Sequence, residues 1–515
     1  MPALILFEKK AMSEEQVKNE KSASLNDMNL EDFRRYGHQV VDWITDYLSH
    51  PERYPVLSQV EPNYLKNALP KSAPETGEAM DEILADIDRH IVDGVTHWNQ
   101  PAFFAYFANT GSAPGILGEM FSAAFNVNAM LWRTSPSATE LEEITLNWLR
   151  QMMDLPESFS GVIYDTASIS SLCAIAAARE AVPNLNVRDE GLYGAQAKLR
   201  LYCSEHAHSS IDKAAILLGL GHQSVRKIAS DAEFRMNPEA LAAAIAEDRA
   251  NGWIPFCVVA TTGTTSTTSI DPVPVIADIC VREKLWLHID AAYGGTAAIL
   301  PEMRWMLEGC EHADSLVINP HKWMFVPMDL SVLFCRRMNI LKQAFSLVPE
   351  YLRTSEGEDE VKNFMDYGPQ LGRRFRAIKF WFVMRYFGVE GLRLRIRQQC
   401  EMAQEFAQWI AVSKDFELLA PVPLSTVCFR ACPTELKHMT GGLALPEKEA
   451  AIDELNEQLM ERVNRRGKVF LSHTKLNDKL TLRLAIGNLR TTREHIKLAW
   501  DELQDALAIL RAAQG

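Results

Sequence analysis

From Leu30 onward, Phe33, Tyr36, Val40, Trp43, Ile44, Tyr47 and Leu48 recur three or four residues apart until Pro51 ends the run. That spacing predicts a helix with a wide apolar face. A second helix is expected over residues 80–92, and two such helices cannot enclose a core. The N-terminal segment is therefore expected to pack on another domain or another subunit, with a two-chain assembly preferred. Residues 8–29, rich in Glu, Lys, Ser and Asn, read as a mobile tail. Further on, short apolar runs at 161–164, 199–203, 256–260, 285–289, 315–318 and 331–334 alternate with helical stretches, the pattern of an α/β fold with a mainly parallel sheet. Beyond residue 378 the pattern becomes helical (380–386 and 391–412), then strand-like (426–430 and 480–485), and closes on a helix over 492–510. The expected organisation is a tail (1–29), an N-terminal helical dimerisation segment (30–112), a large ligand-binding domain (113–378) and a small C-terminal α+β domain (379–515).

The chemistry lies just past the strand ends. The apolar runs lead into Thr166-Ala167-Ser168, His206-Ala207-His208-Ser209, Thr261-Thr262-Gly263-Thr264-Thr265, Asp290-Ala291-Ala292-Tyr293 and Asn319-Pro320-His321-Lys322-Trp323. Ligands of open α/β sheets sit beyond the carboxyl ends of the strands, so these polar clusters are expected to converge on one crevice.

Charge and cysteine usage narrow the classes. A net charge of -14 and scattered Lys and Arg repel nucleic-acid phosphates and anionic lipid. The nine cysteines stand mostly singly in apolar runs, without CxxC pairs, as reduced core residues do. Residues 2–7 are apolar but lack a basic leader and are followed by Glu8, Lys9 and Lys10, and no apolar run approaches the roughly 20 residues of a membrane helix. A soluble cytoplasmic protein, with neither nucleic acid nor membrane as partner, is expected.

Lys322 follows an apolar strand and precedes Trp-Met-Phe-Val, a poor place for a solvated charge. A partly desolvated lysine loses its proton more readily and can condense with an aldehyde; a structural salt-bridge lysine is the alternative. Asp290 ends the run Leu-Trp-Leu-His-Ile, where a carboxylate needs a cationic partner such as a pyridinium nitrogen, unless it caps the next turn. Thr166, Ala167 and Ser168 precede an Ala-rich helix expected over 170–179, whose free N–H groups suit a phosphate, although Ser and Thr cap most helices. His-Ala-His-Ser-Ser lacks further ligands for zinc, so no metal is expected, and His208 reads better as an imidazole stacked on a ring. Thr261 could hydrogen-bond a phenolic oxygen or be structural.

These residues belong to a wider set that resembles the group II pyridoxal 5'-phosphate (PLP) dependent decarboxylases, a fold-type-I family built on a mainly parallel seven-stranded sheet. The resemblance runs from Leu30 to the C-terminal helix through Val95-Thr-His-Trp98, Phe103-Phe-Ala-Tyr106-Phe107, Ser135-Pro-Ser-Ala-Thr-Glu-Leu-Glu142, Ala207-His208-Ser-Ser, His288-Ile-Asp290-Ala-Ala-Tyr, Asn319-Pro-His-Lys322-Trp and Leu371-Gly-Arg-Arg-Phe375. It implies PLP carried covalently by Lys322, Asp290 paired with the pyridine nitrogen, His208 stacked on the ring, and a phosphate site including Thr166, Ala167 and Ser168. Thr261, Ala292, Asn319 and His321 complete the implied cofactor site. Homodimers with N-terminal helices wrapping the partner are implied as well. One departure stands out: the family usually has Gly just before the phosphate-binding Ser or Thr, and this chain has Asp165.

The segment 346–366 is polar, carries Gly357 and reads as a mobile lid. Within it, Tyr351 resembles the family's proton-donating tyrosine, where related aldehyde synthases carry Phe. Trp98, Tyr106 and Phe107 match residues lining the substrate ring, and Gly372 matches a position where relatives acting on histidine or phenolic rings tend to carry Ser. The expected activity is decarboxylation of DOPA, tryptophan, 5-hydroxytryptophan or tyrosine to the amine. Glutamate or histidine decarboxylation, aldehyde synthesis and a non-catalytic scaffold are the alternatives.

Overall fold

The computed structural model describes residues 27–192, 197–347, 361–434 and 445–514. Most of the expected tail lies outside them. The first helix, α1 (Leu30–Ser49), opens at Asn29, whose side chain accepts the Asp32 N–H at 2.8 Å and so satisfies a donor of the first turn. It has no buried residue, and Leu30, Phe33, Val40 and Val41 all stay exposed. The second expected helix is shorter than its sequence suggests: Met80–Asp86 is α-helical, after which Ile87–Ile91 widens into a π turn.

Seven strands form the large sheet: β1 (Ser160–Tyr164), β2 (Leu199–Ser204), β3 (Val225–Ile228), β4 (Ile254–Thr261), β5 (Trp286–Asp290), β6 (Ser315–Ile318) and β7 (Ser331–Cys335), in the order β1-β7-β6-β5-β4-β2-β3. Six run the same way. Only β7 is reversed, antiparallel to both β1 and β6. The central strands are apolar along their whole length because helices cover both faces, and their side chains make up the larger core. Edge strand β3 reads Val-Arg-Lys-Ile and is only partly buried. Without the apolar run of a central strand, it is not apparent in the sequence.

The C-terminal part carries a second sheet, all antiparallel: β8 (Phe416–Leu418), β9 (Thr426–Ala431), β10 (Ser472–Leu476) and β11 (Lys479–Ala485), ordered β10-β11-β9-β8. The N-terminal segment reaches this sheet. Phe104 N–H bonds to Phe470 O, Ala485 N–H bonds to Phe104 O, and Phe103 and Phe104 are fully buried in the second core with Phe406, Phe429 and Leu484.

Three further helices matter for the site: α2 (Ala113–Phe125), α3 (Ala167–Glu180), which follows β1, and the long α4 (Ala377–Val412). Helices α2 and α4 pack together and tie the two halves. Two helices were expected where α4 stands. Two helical stretches are found, separated at Gly388, whose backbone is non-helical (φ 63°, ψ 173°), with a φ that is open to glycine and costly for other residues. No helix among the described residues is long and apolar enough to cross a membrane.

Candidate active site

Because β1, β2, β4, β5 and β6 run in parallel, their carboxyl ends lie along one edge of the sheet, and the loops leaving them interlock there. Asp290 closes β5, and in the register Asp290 stands beside Val317 of β6. Four residues past the end of β6 comes Lys322. Backbone bonds lock the two segments together, Ala291 N–H to Val317 O and Asn319 N–H to Ala292 O, and Lys322 N–H to Asn319 O at 2.9 Å closes the turn that carries the lysine. The loop after β4 comes so close to the segment after β5 that a Cβ on Gly294 would collide with Thr262 O, so only glycine fits.

Lys322 makes no ion pair among the described residues. Burial lowers its amine pKa, against a smaller upward pull from Asp290. Asp290, 6% exposed, accepts the Ala292 N–H at 3.1 Å and likewise lacks an ion-paired cation among the described residues. His208 lies along the same crevice and senses both charges: burial and then Lys322 lower its pKa, outweighing Asp290. Its Nδ1 accepts the Ser210 N–H at 3.1 Å, which assigns the ring proton of the neutral form to Nε2. Beside Lys322, the Phe107 ring centre lies 5.3 Å from Nζ and stacks on Tyr293 at 3.9 Å, which stacks in turn on Trp323 at 4.5 Å.

The other expected residues divide into groups. Thr261 and Asn319, 3% and 2% exposed, each carry a buried side-chain oxygen with no hydrogen-bond partner among the described residues. Thr166 is the N-cap residue of α3. The helix thus begins at Ala167, three residues earlier than its sequence suggests, and Ala167 and Ser168 fall in its first turn with N–H groups that have no intrahelical acceptor. His321 is turned to backbone: its Nδ1 accepts the Leu330 N–H at 2.9 Å, and burial pushes its pKa down to about 3. Ala292 contributes its backbone to the loop lock. Trp98, packed against the second core beside Phe103, stacks on Tyr106 at 5.9 Å, and Tyr106 is itself 53% exposed. A Cβ on Gly372 would meet only Asn128 Nδ2 at 3.9 Å, so nothing described in this chain crowds it. Tyr351 lies outside the described residues.

Three further residues belong to the site, and the sequence reading missed them. His288, fully buried within β5, bonds Ser315 Oγ at 2.9 Å and Ser171 Oγ at 3.3 Å, and burial lowers its pKa to about 4. Asp271 accepts the Thr261 and Met236 N–H groups, both at 2.7 Å, and burial raises its pKa to about 7. Arg483 donates to Thr265 O and Ser266 O at 2.8 Å and to Ser472 Oγ at 3.2 Å; its guanidinium carbon lies 5.3 Å from the Phe107 ring centre. An arginine amid the leucines of a buried strand was the available clue.

A desolvated lysine, a carboxylate without a cation on the neighbouring strand end, orphaned hydroxyl and amide oxygens and a helix N-terminus fit an aldehyde-bearing, phosphorylated pyridine ring. On this sheet topology they define a fold-type-I PLP-dependent enzyme. Comparison with known proteins narrows the class. The Pyridoxal-dependent decarboxylase conserved domain matches residues 62–432. Tyrosine decarboxylase 4 of Petroselinum crispum is 41% identical over 490 residues, covering 93% of this chain and 94% of its own. Phenylacetaldehyde synthase of a Rosa hybrid cultivar is 39% identical over 493 residues, 94% of this chain and 95% of its own. The crystal structure of Catharanthus roseus tryptophan decarboxylase in complex with L-tryptophan superposes with a TM-score of 0.86 at 36% identity, covering 94% of this chain and 100% of that one. The chain belongs to the pyridoxal-dependent decarboxylase family and is a PLP-dependent amino-acid decarboxylase.

Proposed function

We propose that the protein releases carbon dioxide from an aromatic L-amino acid (DOPA, tryptophan, 5-hydroxytryptophan or tyrosine) and leaves the corresponding amine. The observation that carries this reading is the crevice amine of Lys322, desolvated and without an ion pair among the described residues, across from Asp290 on the adjoining strand end. Bound PLP supplies a conjugated ring that accepts the electrons of the broken carbon–carbon bond. The chain's own residues do the rest. Lys322, its proton held weakly, is available as a nucleophile toward the cofactor's aldehyde. Asp290 answers the charge of a protonated ring nitrogen, and His208 presents a neutral imidazole along the crevice. Thr261 and Asn319 offer their unpartnered oxygens, while Thr166, Ala167 and Ser168 offer the helix N-terminus to the phosphate. Arg483, a buried cation with no carboxylate partner among the described residues, is placed to draw a carboxylate toward Phe107. Tyr351 returns a proton to the α-carbon in this reading.

Aromatic walls support an aromatic substrate: Phe107 caps the Tyr293 and Trp323 stack, and Trp98 and Tyr106 form a second stack. The similarity to a phenylacetaldehyde synthase favours aldehyde formation as a second reading, against which Tyr351 speaks. Incubating the holoenzyme with a panel of amino acids and identifying products by mass spectrometry tests both. Amines from aromatic substrates support the proposal; aldehydes, or amines from glutamate or histidine alone, overturn it. The assembly in this reading is a homodimer, because α1 leaves Phe33 and Val41 uncovered and α2 does the same with Leu117, Met120, Phe121 and Phe125. Sedimentation at two masses per particle supports it, and a monomer contradicts it. A cytoplasmic location and a domain division at residues 29, 112 and 378 complete the proposal.

A further inference from the structure

Asp165 stands between the end of β1 and the N-cap residue Thr166. Its Oδ1 accepts both hydrogen bonds that Thr166 can give, the N–H at 2.5 Å and the hydroxyl at 3.1 Å, while its Oδ2 accepts Gln370 Nε2 at 3.2 Å. The carboxylate is therefore pinned from two sides, by the start of α3 and by the segment leading to Gly372. No Lys, Arg or His among the described residues pairs with it, and no basic residue occurs between Asp165 and Arg179. The electrostatic attraction of a helix N-terminus for an anion is thus already exercised on a side chain of the same protein. A phosphate arm approaching Thr166, Ala167 and Ser168 would compete for the Thr166 donors and face a like charge a few ångströms away.

We propose that Asp165 sets the affinity for the phosphate arm of PLP, weakening it so that the cofactor is retained chiefly through its ring and Lys322 and exchanges with free PLP. This rests on the reading of Thr166, Ala167 and Ser168 as the phosphate cradle. Asp165→Asn keeps an acceptor for Thr166 and removes the charge; Asp165→Gly removes the side chain altogether.

The test uses the full chain stripped of cofactor and titrated separately with PLP and with pyridoxal, which lacks the phosphate, with the visible absorbance of the bound ring as readout. Asp165→Asn is expected to lower the Kd for PLP at least about tenfold, the size expected for relieving a like charge at short range under partial screening. The Kd for pyridoxal should change less than about twofold. Asp165→Gly reads the same ratio if the first variant does not fold. A PLP-to-pyridoxal ratio unchanged in a folded variant, or both ligands shifting equally, overturns the proposal. Wild-type protein that binds neither ligand would instead overturn the cofactor reading on which it rests.

Discussion

Two sets of desolvated cations in this molecule have opposite surroundings. Away from the crevice, three of the most deeply buried have an acid. Lys379, with no exposed side-chain surface, pairs with Glu119; Arg373 pairs with Glu142 at 2.6 Å; and Arg430 holds Glu417 and Glu449, both at 2.7 Å. At the crevice, Lys322 and Arg483 have none among the described residues. Burial lowers the pKa of both Lys379 and Lys322, but for Lys379 the largest opposing pull is the bond to Glu119, while Lys322 has only Asp290, with which it makes no ion pair. Removing a cation from water without a counter-charge is costly, so two such cations in one crevice point to ligands that bring the missing charge. A cation's burial alone does not separate these roles; its partner does.

The sharpest way to break this contrast is to remove one cation from each set. Lys322→Ala should abolish the visible absorbance of bound cofactor and cut carbon dioxide release by about ten-thousandfold, more than ~5 kcal/mol, with the melting temperature of cofactor-free protein nearly unchanged. Arg373→Met should do the reverse. It strands Glu142, whose Oε1 also accepts the Ile163 N–H, and should cost about 4 kcal/mol in denaturant unfolding.

Next in size is Arg483→Gln. It should lower kcat/KM about a hundredfold, mainly through KM, with PLP absorbance retained, because a charge-assisted bond to a substrate carboxylate is worth about 2–3 kcal/mol. An unchanged KM would remove Arg483 from the substrate site.

The smallest effect is on pH dependence. Burial holds His288 at about 4 in the folded chain against 6.5 when exposed, so the unfolded chain binds the extra proton between those values. The stability from a neutral His288 is complete above pH 6.5 and is lost as pH falls toward 4; His321, at about 3, acts in the same sense. Asp271, raised from 3.8 to about 7, acts oppositely: its contribution is complete below 3.8 and is lost as pH rises through 7. The informative quantity is accordingly the difference between wild type and His288→Gln, whose stability should fall about 2 kcal/mol less between pH 7 and pH 5. Parallel curves would contradict the buried neutral assignment.

Legibility in the sequence divides along similar lines. Central strands are apolar along their length, so β6 is expected at 315–318 and found there, and the other expected strands differ by a residue or two at their ends. Strands β3, β8 and β10 escape notice because they are short or half polar. Lys322, Asp290 and His208 come just after strand ends or close them, and are legible as members of one crevice. Arg483 is not, since it comes from the other sheet and more than a hundred residues downstream, and only tertiary packing brings it to Phe107. The significance of Asp165 is split the same way: its oddity is visible in sequence, while its grip on Thr166 and Gln370 is visible only in three dimensions.

All of the proposed chemistry requires that the crevice lysine, and not one of the paired ones, carry the cofactor. Reducing the holoenzyme with borohydride and mapping the modified peptide by mass spectrometry identifies the residue. The pyridoxyl group is expected on Lys322. Its appearance on Lys379, Lys362 or any other lysine, with Lys322 unmodified, would refute the assignment.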